Sequence, residues 1–257
     1  MDIFRQMSAL NQMDTITLAE MNDIKLMNRI DTKYIANIDY LPILLEKAKS
    51  KYRVQVVKDS PIAAYRTLYY DTQDAEMYTL HHNKKLQRQK IRTRTYLDSQ
   101  ISFLEIKDKT NKGRTNKERI QIDPNDYSDF SRNEKAVNFL NKNSQYPLKK
   151  LLPQIENSFD RITLVNEEKT ERLTLDFNFC FRNFQTGVEK ELSKMIIIEL
   201  KQDGRCESMF KNYLSELRIR PISISKKCYK LIFLNTIRLL HSNLIQLHQI
   251  LNLWVFH

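Results

Sequence analysis

Basic residues occupy every second position along three consecutive segments in the middle of the chain. They are Arg88, Lys90, Arg92 and Arg94, then Lys107 and Lys109, then Lys117 and Arg119. Residues 84–119 hold twelve Lys and Arg against four Asp and Glu, which is +8 of the net charge of +11. Such a concentration of positive charge favours a polyanionic partner, which could be nucleic acid, anionic lipid or a phosphorylated small molecule.

Other kinds of chemistry are poorly represented. Only three glycines occur among 257 residues, at Gly113, Gly187 and Gly204, so no Gly-rich loop can bind phosphate through its backbone. The sequence contains neither His-Glu-x-x-His nor Cys-x-x-Cys, and its three cysteines are widely spaced, as expected of a protein in a reducing cytosol. Any bound anion must therefore be held by side chains.

Alternation with a period of two predicts strands, because successive side chains on a strand point to opposite faces. We predict about eight strands, most with one ionic and one apolar face: 29–34, 65–71, 88–97, 102–110, 115–122, 159–164, 172–179 and 196–203. The ionic faces carry mainly Arg and Lys, with isolated carboxylates at Glu105, Asp176 and Glu199. The opposite faces, which include Phe177 and Phe179, need cover from helices.

A closed eight-stranded antiparallel β-barrel satisfies both requirements. Helices would pack outside it and charges would line the inside, with room for one threaded ligand. The predicted fold is therefore α+β. An open twisted sheet with one basic face in solvent is the alternative.

Helical patterns fill the rest of the chain. Thr17 and Glu20 form a capping box that opens a helix running towards residue 27. Further helices are predicted at 41–50, 74–82, 133–143, 207–217 and 228–251. We interpret the chain as one domain, 1–257, with an N-terminal helix (1–27), a barrel (28–227) containing a helical insert at about 124–157, and a C-terminal helix (228–257). No run of about 18 apolar residues predicts a transmembrane span.

Eight short motifs occur in order along the chain and together resemble one family. They are NRIDTKY at 28–34, LYYDT at 68–72, KIRTRTY at 90–96, FLEIK at 103–107, KGRTNKER at 112–119, RLTLD at 172–176, IELK at 198–201 and SK at 225–226. The series resembles the VTC (vacuolar transporter chaperone) domain, a polyphosphate polymerase of the triphosphate tunnel metalloenzyme superfamily, over about residues 28–231.

The resemblance implies an eight-stranded tunnel that transfers the γ-phosphate of ATP to a growing polyphosphate chain with Mn²⁺ or Mg²⁺. The implied catalytic, phosphate-binding bases are Lys33, Arg92, Arg94, Lys107, Lys117, Arg161, Arg172, Lys201 and Lys226. The implied substrate-binding residues are Arg66, Arg88, Lys90, Arg119, Phe159 and Ser225. Glu199 is the implied principal metal ligand, and Asp176 and Glu105 are further candidates.

Four positions depart from related patterns. The related CYTH enzymes typically open with Glu-x-Glu-x-Lys, whereas this chain has Arg29-x-Asp31-x-Lys33, which favours the polymerase over the hydrolase branch. Phe159 stands where the VTC family often has Tyr, and Lys227 where an aromatic residue is usual.

Two other functions remain open at this stage. One is a metal-dependent tripolyphosphatase or nucleoside triphosphatase of the same fold, and the other is a non-catalytic module that binds polyphosphate or RNA. Tyr96 and Phe103 are the main aromatic residues among the bases, few for base stacking, so no nucleic acid partner is expected. The expected partners are ATP and polyphosphate. The expected location is cytoplasmic, at the inner face of a membrane through a partner that receives the polymer. The oligomeric state is left open.

Overall fold

The computed structural model describes residues 7–22, 24, 29–111, 115–204 and 207–222. The described strands are β1 (Thr15–Thr17), β2 (Arg29–Asn37), β3 (Tyr52–Val56), β4 (Ile62–Asp71), β5 (Arg88–Tyr96), β6 (Ile101–Lys109), β7 (Thr115–Ile122), β8 (Leu152–Asn166), β9 (Glu171–Asn183), β10 (Glu189–Leu192) and β11 (Met195–Asp203). The α-helices are α1 (Leu18–Asn22), α2 (Tyr40–Ala48), α3 (Glu76–His82), α4 (Glu134–Asn143) and α5 (Met209–Glu216).

Eight strands follow one another in a hydrogen-bonded path, β2-β11-β9-β8-β4-β5-β6-β7, and every neighbouring pair in it is antiparallel. These are the eight strands that the alternation predicts, and the α+β antiparallel fold is confirmed. In the described part of the chain no ladder joins the outermost strands β2 and β7. Three short strands add to the path: β3 pairs with β8, β1 with β3, and β10 with β9.

Helices cover the apolar face of the sheet in two places. Leu44 and Leu45 of α2 and Phe210 of α5 are fully buried against a cluster that includes Leu175 and Ile198. The insert after β7 covers the other half of the sheet, where Phe130 and Leu140 pack with Leu104 and Ile91. This cover leaves the opposite face of the path, which we call the ionic face, for the charged side chains.

The helix predictions are accurate to within two residues at each end for α2 to α5. Asn133 and Ser208 cap α4 and α5, since their side chains accept hydrogen bonds from the backbone N–H groups of Ala136 and Lys211. No helix among the described residues has the length and apolar character needed to cross a membrane. The predicted C-terminal helix lies outside the described residues.

Two predicted boundaries are wrong. Residues 1–27 are not one helix, because a 3₁₀ turn (Ser8–Gln12) and β1 precede the short helix α1. The Thr17–Glu20 capping box is present: Thr17 Oγ1 accepts from Glu20 N at 3.3 Å, and Glu20 Oε2 accepts from Thr17 N at 2.8 Å. The insert ends earlier than 157, because β8 begins at Leu152 and continues the pairing with β4.

A β-bulge changes which side chains of β9 face the ionic side. The register between β8 and β9 shifts between Ser158 and Asp160, and Asn178 opposite this shift has a φ of 52°, in the left-handed region. Phe177 therefore packs in the helix-covered core, while Phe179 turns to the ionic face beside Phe159. The prediction that Phe177 and Phe179 share a face is wrong because the bulge adds one residue to the alternation.

Candidate active site

The register of the strands brings eight predicted bases to the ionic face: Lys33, Arg92, Arg94, Lys107, Lys117, Arg161, Arg172 and Lys201. Directly paired residues share a face of a sheet. Lys33 on β2 lies opposite Glu199 on β11, and Lys201 lies opposite Arg172 on β9. On the other half of the path, Arg92 on β5 lies opposite Glu105 on β6. The ionic face thus carries two groups of charges.

Glu199 is the centre of the first group. Its Oε1 lies 2.9 Å from Lys33 Nζ, and its Oε2 lies 3.7 Å from Lys201 Nζ. Burial alone would raise the pKa of Glu199, but Lys201, Lys33 and Arg161 outweigh burial and hold that pKa well below its usual range. The carboxylate is therefore ionised at neutral pH and is held by these two lysines.

Arg161 on β8 and Asp176 on β9 form a buried two-point ion pair. Arg161 Nε donates to Asp176 Oδ1 at 2.6 Å, and Nη2 donates to Oδ2 at 2.8 Å. The guanidinium carbon of Arg161 also lies 5.2 Å from the ring centre of Tyr65 and 5.4 Å from that of Phe159. Because these contacts fix the guanidinium plane, Arg161 is a preorganised anion-binding group.

Glu105 is the centre of the second group and is fully buried. Its Oε2 accepts from Arg92 Nε at 2.7 Å, and its Oε1 lies 2.6 Å from Lys117 Nζ. Burial opposes ionisation of Glu105, but Arg92, Arg94 and Lys117 together lower its pKa well below the usual range. Glu105 therefore orients two bases.

Several bases on the ionic face have lowered pKa values. Burial, together with Arg92, Lys117 and Arg94, lowers the pKa of Lys107 to about 7. Burial lowers the pKa of Lys201 to about 8, with Arg161 and Arg172 acting in the same direction and Glu199 against it. The pKa of Arg94 is also lowered, by burial and by Arg92. Burial is the largest cause of all three shifts, and neighbouring cations add to it.

The remaining predicted site residues divide into three sets. Arg88, Lys90 and Arg119 lie on the ionic face by register, as does Phe159, whose ring stacks on Tyr65 with 5.4 Å between ring centres. Ser225 and Lys226 lie outside the described residues. Arg66 is the exception.

Arg66 lies on the helix-covered face. It pairs with Thr95 and Ser158, its guanidinium carbon lies 4.3 Å from the ring centre of Tyr127 in the insert, and its Nε lies 3.9 Å from Glu156 Oε2. The prediction that Arg66 binds substrate on the ionic face is therefore wrong.

The three predicted metal carboxylates do not meet at one point. Asp176 is engaged by Arg161, Glu105 by Arg92 and Lys117, and Glu199 by Lys33 and Lys201. Among the described residues no three His, Cys, Asp or Glu side chains come close enough to form a metal site. Glu199 fits a divalent ion that arrives with phosphate, because Mg²⁺ in such sites takes one or two carboxylates, with phosphate oxygens and water as its other ligands.

Sequence reasoning missed the neutral residues that hold the bases. Thr67 Oγ1 accepts from Arg94 Nε at 3.0 Å, and Tyr69 Oη lies 3.3 Å from Arg92 Nη1. Tyr65 lies between Arg94 and Arg161, whose guanidinium carbons are 5.6 Å and 5.2 Å from its ring centre. The alternation of Tyr65, Thr67 and Tyr69 in the predicted strand 65–71 was the available signal. In the structure these positions pair with Tyr96, Arg94 and Arg92.

Solved structures that resemble this fold include proteins described as adenylate cyclases. A "putative adenylate cyclase" from Bacillus halodurans superposes with a TM-score of 0.51 at 15% identity, covering 79% of this chain and 98% of the other. A "putative adenylyl cyclase" from Hippeastrum, described as having a dominant triphosphatase activity, gives a TM-score of 0.49 at 15% identity, covering 78% and 93%. At 15% identity, the likeness to the Bacillus halodurans protein shows the fold alone.

The family assignment is more specific than the fold. The VTC domain matches residues 28–234, which is most of the chain and contains every predicted site residue. This chain therefore belongs to the VTC domain family. The comparison with curated proteins found no match to this chain.

Proposed function

We propose that this protein is a polyphosphate polymerase that transfers the γ-phosphate of ATP to the end of a growing polyphosphate chain. The observation that carries the proposal is the ionic face, where bases converge from β2, β5, β6, β7, β8, β9 and β11 around only a few carboxylates. A surface that is rich in Arg and Lys and poor in anions suits a ligand with many closely spaced negative charges.

The reaction needs little covalent help from the protein. The bond between the γ-phosphorus and the oxygen bridging it to ADP breaks, an oxygen of the terminal phosphate of the chain forms the new bond, and ADP leaves with the electron pair. The attacking oxygen is already ionised, so no strong general base is required. Positioning and charge stabilisation account for most of the catalysis in such transfers.

The two groups of charges contain two kinds of base, which we assign to different roles. Arg161 is held rigidly by Asp176, and Arg92 is held by Glu105, so both present fixed guanidinium groups to phosphate oxygens. Lys33, Lys107 and Lys201 supply mobile point charges that can follow the charge as it moves to the leaving ADP. Both kinds of base stabilise the transition state electrostatically.

Glu199 is the residue proposed to hold a divalent cation, Mn²⁺ or Mg²⁺. Lys33 and Lys201 keep its carboxylate ionised and close to the phosphate-binding bases. The cation would neutralise charge on the phosphate oxygens during transfer. Asp176 and Glu105 are engaged by Arg partners, so we assign them to positioning bases and not to binding metal.

Incubation with ATP and Mn²⁺, followed by electrophoresis for long phosphate chains, tests the proposal. Long chains that form with the wild-type protein and not with the Glu199→Gln variant are the expected result. Free phosphate without chains would replace the polymerase with a triphosphatase of the same fold. Absence of both products, with polyphosphate still bound, would indicate a binding module.

A further inference from the structure

One buried amide on the ionic face has no hydrogen-bond partner. Asn157 lies on β8, directly opposite Thr67 of β4 on one side and Phe181 of β9 on the other. It is 1% exposed, and neither its Nδ2 nor its Oδ1 has a hydrogen-bond partner among the described residues. Because an unpaired amide costs free energy in the interior, an apolar side chain would serve packing better at this position.

The surroundings of Asn157 are apolar on most sides. Three of its neighbours on the ionic face are side chains of one buried cluster: Ile155, Phe159 and Phe181. Its neighbour on β4 is polar, since Thr67 Oγ1 accepts a hydrogen bond from Arg94 Nε at 3.0 Å. The polar side of Asn157 is therefore the side of Thr67 and Arg94.

The hydrogen bond to Thr67 brings the Arg94 guanidinium from β5 over β4. The guanidinium carbon also lies 5.6 Å from the ring centre of Tyr65, another β4 residue. Neighbouring strands are about 4.8 Å apart, so the guanidinium lies next to β8, the strand that holds Asn157. Arg94 is 8% exposed, and none of the ion pairs among the described residues includes it. A buried base without a carboxylate partner thus lies beside a buried amide without a hydrogen bond.

A phosphate group satisfies both side chains. Phosphate oxygens accept hydrogen bonds, and the N–H groups of Arg94 and of Asn157 Nδ2 donate them. The Thr67 hydroxyl accepts from Arg94 and keeps its own proton, which it can donate to Asn157 Oδ1. An amide also adds no positive charge to a face where burial and Arg92 already lower the pKa of Arg94.

We propose that Asn157 is a further substrate-binding residue, whose amide nitrogen donates a hydrogen bond to the phosphate group that Arg94 binds. This inference rests on the proposed function for the identity of the ligand, a chain of phosphates. The contact is with phosphate and not with the nucleoside. Binding of ATP and of inorganic tripolyphosphate therefore depends on Asn157 to the same extent.

Calorimetric titration with tripolyphosphate, and with ATP in the absence of divalent ions, tests the proposal. The Asn157→Leu variant keeps a branched side chain without polar atoms. Its Kd for both ligands should rise by about tenfold or more, the loss expected for one hydrogen bond to a charged group. The Asn157→Asp variant places a carboxylate beside Arg94 and should weaken binding further.

The matched control is Asn183→Leu. Asn183 is also buried, but its Oδ1 accepts hydrogen bonds from the backbone N–H groups of Gln185 and Thr186. This variant should lower the melting temperature and leave the Kd of both ligands unchanged.

The melting temperature of the empty protein separates binding from packing. Removal of an unpaired buried amide should maintain or raise the melting temperature of Asn157→Leu. The new ion pair with Arg94 should raise that of Asn157→Asp. A loss of affinity confined to variants that melt below the wild type would contradict the inference, because it would reflect disturbed packing.

Two further results would overturn the inference and leave the proposed function intact. One is an unchanged Kd in both Asn157 variants. The other is a loss of affinity for ATP without a loss for tripolyphosphate, which would place Asn157 at the nucleoside. Equal losses for the two ligands, in a protein whose wild type transfers no phosphate, would remove the proposed function alone.

Discussion

Lys33 and Glu199 face each other across β2 and β11, with 2.9 Å between Lys33 Nζ and Glu199 Oε1. The pair joins the first strand of the hydrogen-bonded path to the strand beside it, and Lys201 adds a second cation to the same carboxylate. In the empty protein this carboxylate offsets part of the surrounding positive charge. When substrate is bound, phosphate would take over the two lysines and leave Glu199 free for a divalent cation.

Replacement of Glu199 by Gln should lower the rate of phosphoryl transfer by about 100-fold or more, a loss typical of removing one preorganised electrostatic group. The isosteric amide keeps the packing, and exposed Glu189→Gln is the matched control. Binding of Mn²⁺ in the presence of a non-hydrolysable ATP analogue, followed by electron paramagnetic resonance, gives a second readout. Unchanged activity together with unchanged Mn²⁺ binding would remove Glu199 from the metal role.

Replacement of Asp176 by Asn should affect stability first. It leaves the Arg161 guanidinium, 15% exposed, without its charged partner, and breaking a buried ion pair from one side costs about 3–5 kcal/mol. Denaturant unfolding measures this loss. A variant of wild-type stability that has lost only metal-dependent activity would instead support the original prediction of Asp176 as a metal ligand.

Anion binding should stabilise the protein strongly. Bound triphosphate relieves the repulsion among the bases, and a ligand at about 100 times its Kd contributes about 2.7 kcal/mol to the free energy of unfolding. For a domain of this size, each kcal/mol raises the melting temperature by roughly 2–4 °C. A thermal shift assay with millimolar tripolyphosphate measures the effect, with sulfate at matched ionic strength as the control. The absence of a shift would argue against an anion-binding tunnel.

Binding of polyphosphate should take up protons at pH 8. The pKa of Lys107 is lowered from 10.5 to about 7, so its amine is largely neutral at pH 8 until a polyanion restores the ammonium form. Affinity should therefore fall as the pH rises above about 7. Without ligand, the free energy of unfolding depends on pH in the opposite direction to the affinity. From about pH 7 to 10.5 the unfolded chain binds more protons at this lysine than the folded protein does. Lys107 therefore makes the free energy of unfolding rise with pH.

Calorimetry at pH 8 in two buffers of different ionisation enthalpy measures this proton uptake. Lys107→Gln should reduce it, and Lys149→Gln should not. Equal apparent enthalpies in the two buffers with the wild-type protein would show that Lys107 and Lys201 are already protonated, contrary to the prediction.

Much of the fold could be predicted because its strands alternate without interruption. Arg88 to Arg94 and Glu105 to Lys109 lie where a period of two places them, and the register confirms that they share one face. The prediction fails where the backbone departs from regular geometry. The bulge at Asn178 reverses the faces of Phe179 and Phe181, and an Asn in a strand gives no clear warning of it.

The residues of the site could largely be predicted from the sequence, but the ion pairs between them could not. Spacing and resemblance identify Glu105, Asp176 and Glu199 as carboxylates of the ionic face, but only the structure shows that two of the three are bound to Arg partners. Arg66 was misassigned because its charge was taken as the guide to its face, whereas the alternation places it with the buried Leu68 on the helix-covered face. The Arg66 guanidinium packs against the ring of Tyr127, a residue of the insert that lies far from Arg66 in the sequence.

The fate of the γ-phosphate of ATP tests the central claim most directly. With ATP labelled at the γ-position and Mn²⁺ or Mg²⁺, the label should appear in acid-insoluble phosphate chains, with one ADP released for each phosphate incorporated. Recovery of the label as free orthophosphate, with no labelled chain at any time point, would contradict the polymerase assignment.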